Sequence, residues 1–153
     1  MLTRGRIRLK TRPLPKAGLA GRWLLAAGWM GGIFYLSQQS SPLGGPASRI
    51  EAFAAHLVLY GVLAVLLYWA LWAAAAGEHA QQGLLVAALA FALTVLYGVS
   101  DELHQAFVPG RTASEADLLV DAIGGLLGLG GVLASQRTFL ALRARLGDTS
   151  SHP

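Results

Sequence analysis

The chain has 153 residues, of which 54% are hydrophobic and only 13% charged, with a mean hydropathy of +0.51. Soluble globular proteins carry about 25% charged residues, so a water-soluble domain fits poorly, and one domain is all the length calls for. The absence of cysteine excludes disulfides, thiolate metal sites and cysteine nucleophiles.

Residues 1–17 mix basic and apolar residues with Pro13 and Pro15, and read as a basic cytoplasmic tail without stable structure. Residues 19–36 are apolar apart from Arg22, whose long side chain can snorkel to the near interface. This stretch reaches the ~20 residues a bilayer needs and forms the first of four expected spans. A basic start before an apolar run is also the mark of a signal peptide, but the long run and three later ones favour a retained span. Trp23 and Trp29 are read as anchoring or packing this helix. The Ser, Pro and Gly of SQQSSPLGGPAS mark an external loop. Residues 53–76 form the second span, interrupted only by His56, with Trp69 and Trp72 near its inner end. GEHAQQG returns the chain as a short loop, with His79 solvated there. Residues 83–100 carry no charge and form the third span; residues 118–136 form the fourth, with Asp121 as its single charge. Residues 137–153 are a C-terminal tail in which RTFLALRARLGD reads as a short amphipathic helix on the inner leaflet.

The expected fold is all-α, a four-transmembrane-helix bundle occupying residues 18–136. Ten of the twelve basic residues lie in or beside the two tails, leaving Arg49 and Arg111 for the outer loops. Both termini should therefore be cytoplasmic in a multi-pass protein of the inner membrane. The basic pI near 10 then reflects an anionic leaflet rather than nucleic acid. In the fourth span Gly124 and Gly128 make a GxxxG pair, which lets another helix approach closely where lipid offers no hydrophobic drive.

Six of the twenty Asp, Glu, Lys and Arg residues fall between Asp101 and Asp121, between two apolar segments. Asp101, His104 and Gln105 share a face if the third helix continues past Ser100. Pro109 and Gly110 suit a type II turn, and Ser114 with Asp117 suits a capping box that starts the fourth helix near Glu115. Asp117 and Asp121 lie one turn apart. A carboxylate as deep as Asp121 should face a partner or a wet cavity, with Arg111 and His104 as the nearest candidates. His56 and Tyr60 are i, i+4 neighbours at the same end of the second span. His56, Tyr60, Asp101, Glu102, His104, Gln105, Arg111, Asp117 and Asp121 are thus expected to converge on one outward-facing pocket.

The segment DELHQAFVPGRTASEADLLVDAIGGLLG resembles the VanZ-like family, which carries an Asp-Glu-x-x-Gln stretch, a Pro-Gly-Arg turn and two acidic or amide positions four residues apart before a Gly-rich helix. Here these are Asp101, Glu102, Gln105, Pro109, Gly110, Arg111, Asp117 and Asp121. FYLSQQS at Phe34 to Ser40 and HLVLYGVL from His56 add weaker matches. The family commonly has an Asp-Lys pair where this chain has Ala52 and Phe53; Glu51 is the nearest substitute for the acid, and the Lys has none. The resemblance implies a small four-helix membrane protein of a family named for a teicoplanin-resistance member.

The reading favoured is a protein whose pocket binds or shields an amphiphilic cell-envelope or lipoglycopeptide ligand, with Arg111, Glu102, Gln105, Asp117, His56 and Tyr60 as contacts. The alternative is an enzyme acting on a lipid-linked phosphate or glycolipid, with His104 as acid/base, Asp101 or Asp121 orienting it, and Arg111 holding phosphate. A third reading is architecture: Arg111 pairs with Asp101 or Asp117, and His56 and Tyr60 bond across helices. A divalent metal among His104, His56, Asp101 and Glu102 ranks below these because no HExxH-like spacing exists, and an ion path ranks lower still. No cofactor and no resident metal are expected.

Overall fold

A computed structural model describes residues 16–39, 48–75 and 80–148. Within them the apolar runs form four helices: α1 (Lys16–Ser37), α2 (Arg49–Ala75), α3 (Ala80–Gln105) and α4 (Glu115–Asp148). Long uninterrupted helices follow from composition, because an apolar backbone away from water must satisfy its N–H and C=O groups internally. Three helical segments are long and apolar enough to cross a membrane: Arg49–Ala75, Gln82–Gln105 and Glu115–Leu142. α1 is diluted by Arg22 and by glycines 18, 21, 28, 31 and 32.

The starts and stops have local causes. Ser48 and Glu51 make a reciprocal capping box at α2: Glu51 N donates to Ser48 Oγ at 3.3 Å, and Ser48 N donates to Glu51 Oε2 at 2.8 Å. Glu51 is therefore an exposed cap. α3 runs on to Gln105, then Arg111 N donates to Val108 O at 3.1 Å across the Pro109-Gly110 corner, with Gly110 at φ 82°. That left-handed φ at the second corner is the type II requirement.

Several boundaries differ from the sequence reading: α1 begins at Lys16, inside the expected 1–17 tail, and α2 at Arg49 rather than at residue 53. α3 begins at Ala80, so the Gln82 and Gly83 end of the expected loop is helical; residues 1–15 of the expected 1–17 tail, most of the external loop (40–47) and the Glu78 and His79 positions lie outside the described residues. α4 does not stop at Gln136 but continues to Asp148, so RTFLALRARLGD is the extension of one helix rather than a separate amphipathic one. No glycine or proline interrupts residues 132–146, and Ser135 and Thr138 return their hydroxyls to Val132 O and Ala134 O within the helix. At about 1.5 Å per residue, 34 residues span ~51 Å, well beyond a ~30 Å hydrocarbon layer.

The helices run up, down, up, down. α2 packs most extensively on α4, α3 fills the side of that pair, and α1 lies against α2 and α3. α1 is pinned by polar anchors: Arg22 Nη1 donates to Trp69 O at 3.0 Å with its guanidinium 4.2 Å over the Trp69 ring, and Trp29 Nε1 donates to Leu59 O at 2.9 Å. Large apolar side chains such as Leu24, Leu85, Leu96, Leu119 and Leu127 face outward, whereas Asp101, Glu102, Gln105 and Asp121 are buried. This inversion is what a lipid-facing bundle requires.

Glycines set the α2–α4 distance. A Cβ on Gly124 would lie 3.0 Å from Leu57 Cα and nearer still to Leu57 O, and one on Gly128 would press on the Gly61 carbonyl in the same way. Gly61 answers from α2, where a Cβ would lie 3.1 Å from Gly124 O. The obstructing atoms are backbone, which cannot rotate aside. Gly124→Ala and Gly128→Ala should each destabilise the bundle by ~1–3 kcal/mol through overpacking. Gly130→Ala, with nothing within 4 Å, should be neutral or slightly stabilising; reversible unfolding in mixed detergent micelles measures all three.

Candidate functional site

One turn before Gly124, the close seam brings two polar side chains together. His56 Nδ1 lies 2.9 Å from Asp121 Oδ1, and both are largely withdrawn from solvent. Gly98 of α3 makes room for this, since a Cβ there would lie 3.2 Å from Asp121 Oδ2 and 3.4 Å from the Tyr60 ring. Tyr60, one turn after His56, stacks parallel to it with centroids 6.1 Å apart, and Tyr97 of α3 lies 6.3 Å beyond. Tyr97 is anchored by a 2.6 Å hydrogen bond from its hydroxyl to Met30 O of α1.

α3 contributes the acids. Gln105 Nε2 donates to Asp101 Oδ2 at 2.9 Å, one turn along the helix. Asp101 lies near Tyr60 and Asp121, and Glu102 near His56, Asp117 and Asp121, close enough for their charges to interact. Glu102 also crosses the hairpin: Ser114 N donates to its Oε2 at 2.7 Å. At α4 the capping box is therefore split. Asp117 N donates to Ser114 Oγ at 3.3 Å, but the acid receiving the Ser114 N–H is Glu102 rather than Asp117. Asp117 is thereby left without a side-chain hydrogen bond among the described residues.

The nine residues expected at the pocket do not behave as one set. His56, Tyr60, Asp101, Glu102, Asp117 and Asp121 come together, with Gln105 bound to Asp101. His104 turns toward α1, its ring centroid 4.4 Å from that of Phe34, and no hydrogen bond joins it to Asp101 or Asp121 among the described residues. The histidine oriented by an aspartate is His56, which corrects the pairing expected for His104. Arg111 forms no ion pair with Asp101 or Asp117; among the described residues the one ion pair is His56 with Asp121. His56 does bond across helices as the architectural reading expects, and the Tyr60 hydroxyl faces the Asp101 carboxylate without reaching full hydrogen-bond geometry.

Among the described residues, six buried side-chain atoms at this end lack a hydrogen-bond partner: Tyr60 Oη, Asp101 Oδ1, Glu102 Oε1, His104 Nε2, Arg111 Nε and Asp121 Oδ2. Native proteins satisfy nearly all such atoms with protein, water or ligand. The arrangement can thus donate from Arg111 and Tyr60, accept at several carboxylates, and hold one imidazole in a set tautomer. Sequence reasoning missed Tyr97 and Gly98, and gave Phe34 no contact with His104 and Ser114 no bond to Glu102. Tyr97 was accessible in principle, because positions 97, 101 and 105 share a helix face; the others act only across helices.

A family model described as VanZ/LLP1 matches residues 22–136. No curated protein and no solved structure matches the chain. The match covers most of the chain and all but the outermost ends of the described helices, so the chain belongs to the VanZ/LLP1 family and is a membrane protein. If His56 and Asp121 stabilise each other, a double-mutant cycle of His56→Ala and Asp121→Ala should give a coupling of ~0.5–3 kcal/mol. Additive losses in detergent unfolding would show that the pair contributes nothing.

Proposed function

We propose that this VanZ/LLP1-family chain crosses the inner membrane four times with both termini cytoplasmic, and binds the polar headgroup of an amphiphilic cell-envelope or lipoglycopeptide molecule at the outer end of the bundle. The observation that supports this is the set of buried, unpartnered polar atoms at this end of the bundle, Arg111 Nε among them, with Arg111 in no ion pair among the described residues. A bare architectural network would have closed on itself, since each unsatisfied buried group costs about 1–3 kcal/mol. An anionic headgroup oxygen would engage Arg111 and Tyr60, and the apolar outer faces of the helices would accommodate the acyl portion. The basic flanks support cytoplasmic termini, because Lys and Arg are retained on the inner side.

A second reading is favoured by the His56–Asp121 hydrogen bond, which orients an imidazole as a general acid or base does require. Under it the chain acts on a lipid-linked phosphate or glycolipid, with Arg111 holding the phosphate. His104 packs on Phe34 and has no aspartate hydrogen-bonded to it among the described residues, so His56 is the better candidate to move a proton.

The purified protein should carry anionic amphiphiles identifiable by native mass spectrometry, and Arg111→Ala should deplete them at least several-fold while leaving the helical content unchanged. An identical lipid profile in parent and variant would count against the pocket. Product accumulating on long incubation with a lipid-linked phosphate would select the second reading. Because the chain has no native cysteine, Thr112→Cys in the exposed hairpin should react with an impermeant maleimide in intact cells; labelling only after lysis would place the hairpin on the cytoplasmic side.

A further inference from the structure

We propose that His56, Glu102 and Asp117 bind a divalent transition-metal cation, with Asp121 holding His56 in the ligating tautomer. A ring nitrogen of His56 and one carboxylate oxygen from each of Glu102 and Asp117 lie within 4.8 Å of one another. Ligand atoms about 2.1 Å from a tetrahedral ion are about 3.4 Å apart, so small side-chain rotations close the shell. The three ligands arrive from α2, α3 and α4, which is why no spacing motif announces them.

The geometry has independent support on each side. Glu102 is only 7% exposed, spends Oε2 on Ser114 N, and leaves Oε1 buried with no partner beside the cluster. Asp117 is relieved of its expected capping duty by that same bond. Asp121 accepts from His56 Nδ1, which leaves the lone pair on Nε2; a carboxylate behind a ligating histidine is the recurrent outer-shell arrangement of metal sites. No Lys or Arg pairs with these acids among the described residues. Buried carboxylates are ordinarily paired or metal-bound, and a cation is the missing counter-charge.

One imidazole and two carboxylates suit Zn²⁺ or Mn²⁺. Three protein ligands leave a tetrahedral ion one open position, available to water or an anionic oxygen. An ion on Nε2 would make His56 a ligand and not a base. The inference does not rest on headgroup binding, because the ion's ligands are all protein groups.

The test titrates Zn²⁺ and Mn²⁺ separately into the full chain, purified in detergent and stripped with chelator, using calorimetry and elemental analysis. One ion per chain is expected. Asp121→Asn should weaken binding ~10–100-fold, and Glu102→Gln and Asp117→Asn by at least about tenfold. Glu115→Gln, an exposed acid on the same turn of α4, should bind like the parent. Since Glu102→Gln also touches the Ser114 cap, Asp117→Asn is the deciding variant, with its thermal unfolding checked against the parent. No saturable binding of either ion would overturn the site, as would Asp117→Asn and Glu115→Gln behaving alike.

Discussion

The backbone contact between α2 and α4 governs the rest of the molecule. Gly124 against Leu57 and Gly128 against Gly61 bring two helices closer than any side chain would permit. In a membrane this is the available route to tight association, since lipid tails solvate leucine as well as another leucine does. The seam sets both the separation and the rotation of the pair. His56, just before Leu57, and Asp121, one turn before Gly124 and Gly125, then meet at hydrogen-bond distance. A wider seam would leave a buried carboxylate facing nothing.

Around this seam the usual distribution of residues is inverted. Many leucines lie outside while Asp101, Glu102 and Asp121 lie inside, and these acids sit at one end, where α2 and α4 begin and α1 and α3 end. Helix N-termini carry partial positive charge, so Asp117 and Glu115 in the first turn of α4 are favourably placed. The hairpin adds a constraint of its own. Pro109 and Gly110 turn the chain so that Glu102 can reach Ser114 N, replacing a bond within α4 by one between helices. One acid thereby both caps α4 and ties it to α3, while the acid that would have capped is released toward His56.

This exchange leaves the charges at this end of the bundle only partly paired among the described residues. An architectural cluster would use its charges on each other, and Arg111 would be neutralised by Asp101 or Asp117. Instead Arg111 has no ion pair, and of Asp101, Glu102, Asp117 and Asp121 only Asp121 has one, with His56, among the described residues. Arg111 and these acids therefore lie at the same end of the bundle without an ion pair between them among the described residues.

Four helices, their boundaries near Glu115 and at the Pro109-Gly110 corner, and the packing role of Gly124 and Gly128 were legible from residue order, because capping, turn geometry and small-residue spacing are local properties. So was the identity of most polar residues at the site. Which of them would meet was not. The i, i+3 and i, i+4 rules report neighbours on one helix, and they placed Asp101, His104 and Gln105 together without showing that His104 would turn to Phe34. The pairing of His56 with Asp121, the isolation of Arg111 and the transfer of the Ser114 cap to Glu102 depend on the rotation and register of separate helices. Those are decided by backbone contacts between residues more than sixty positions apart, which only the packed tertiary structure brings into being.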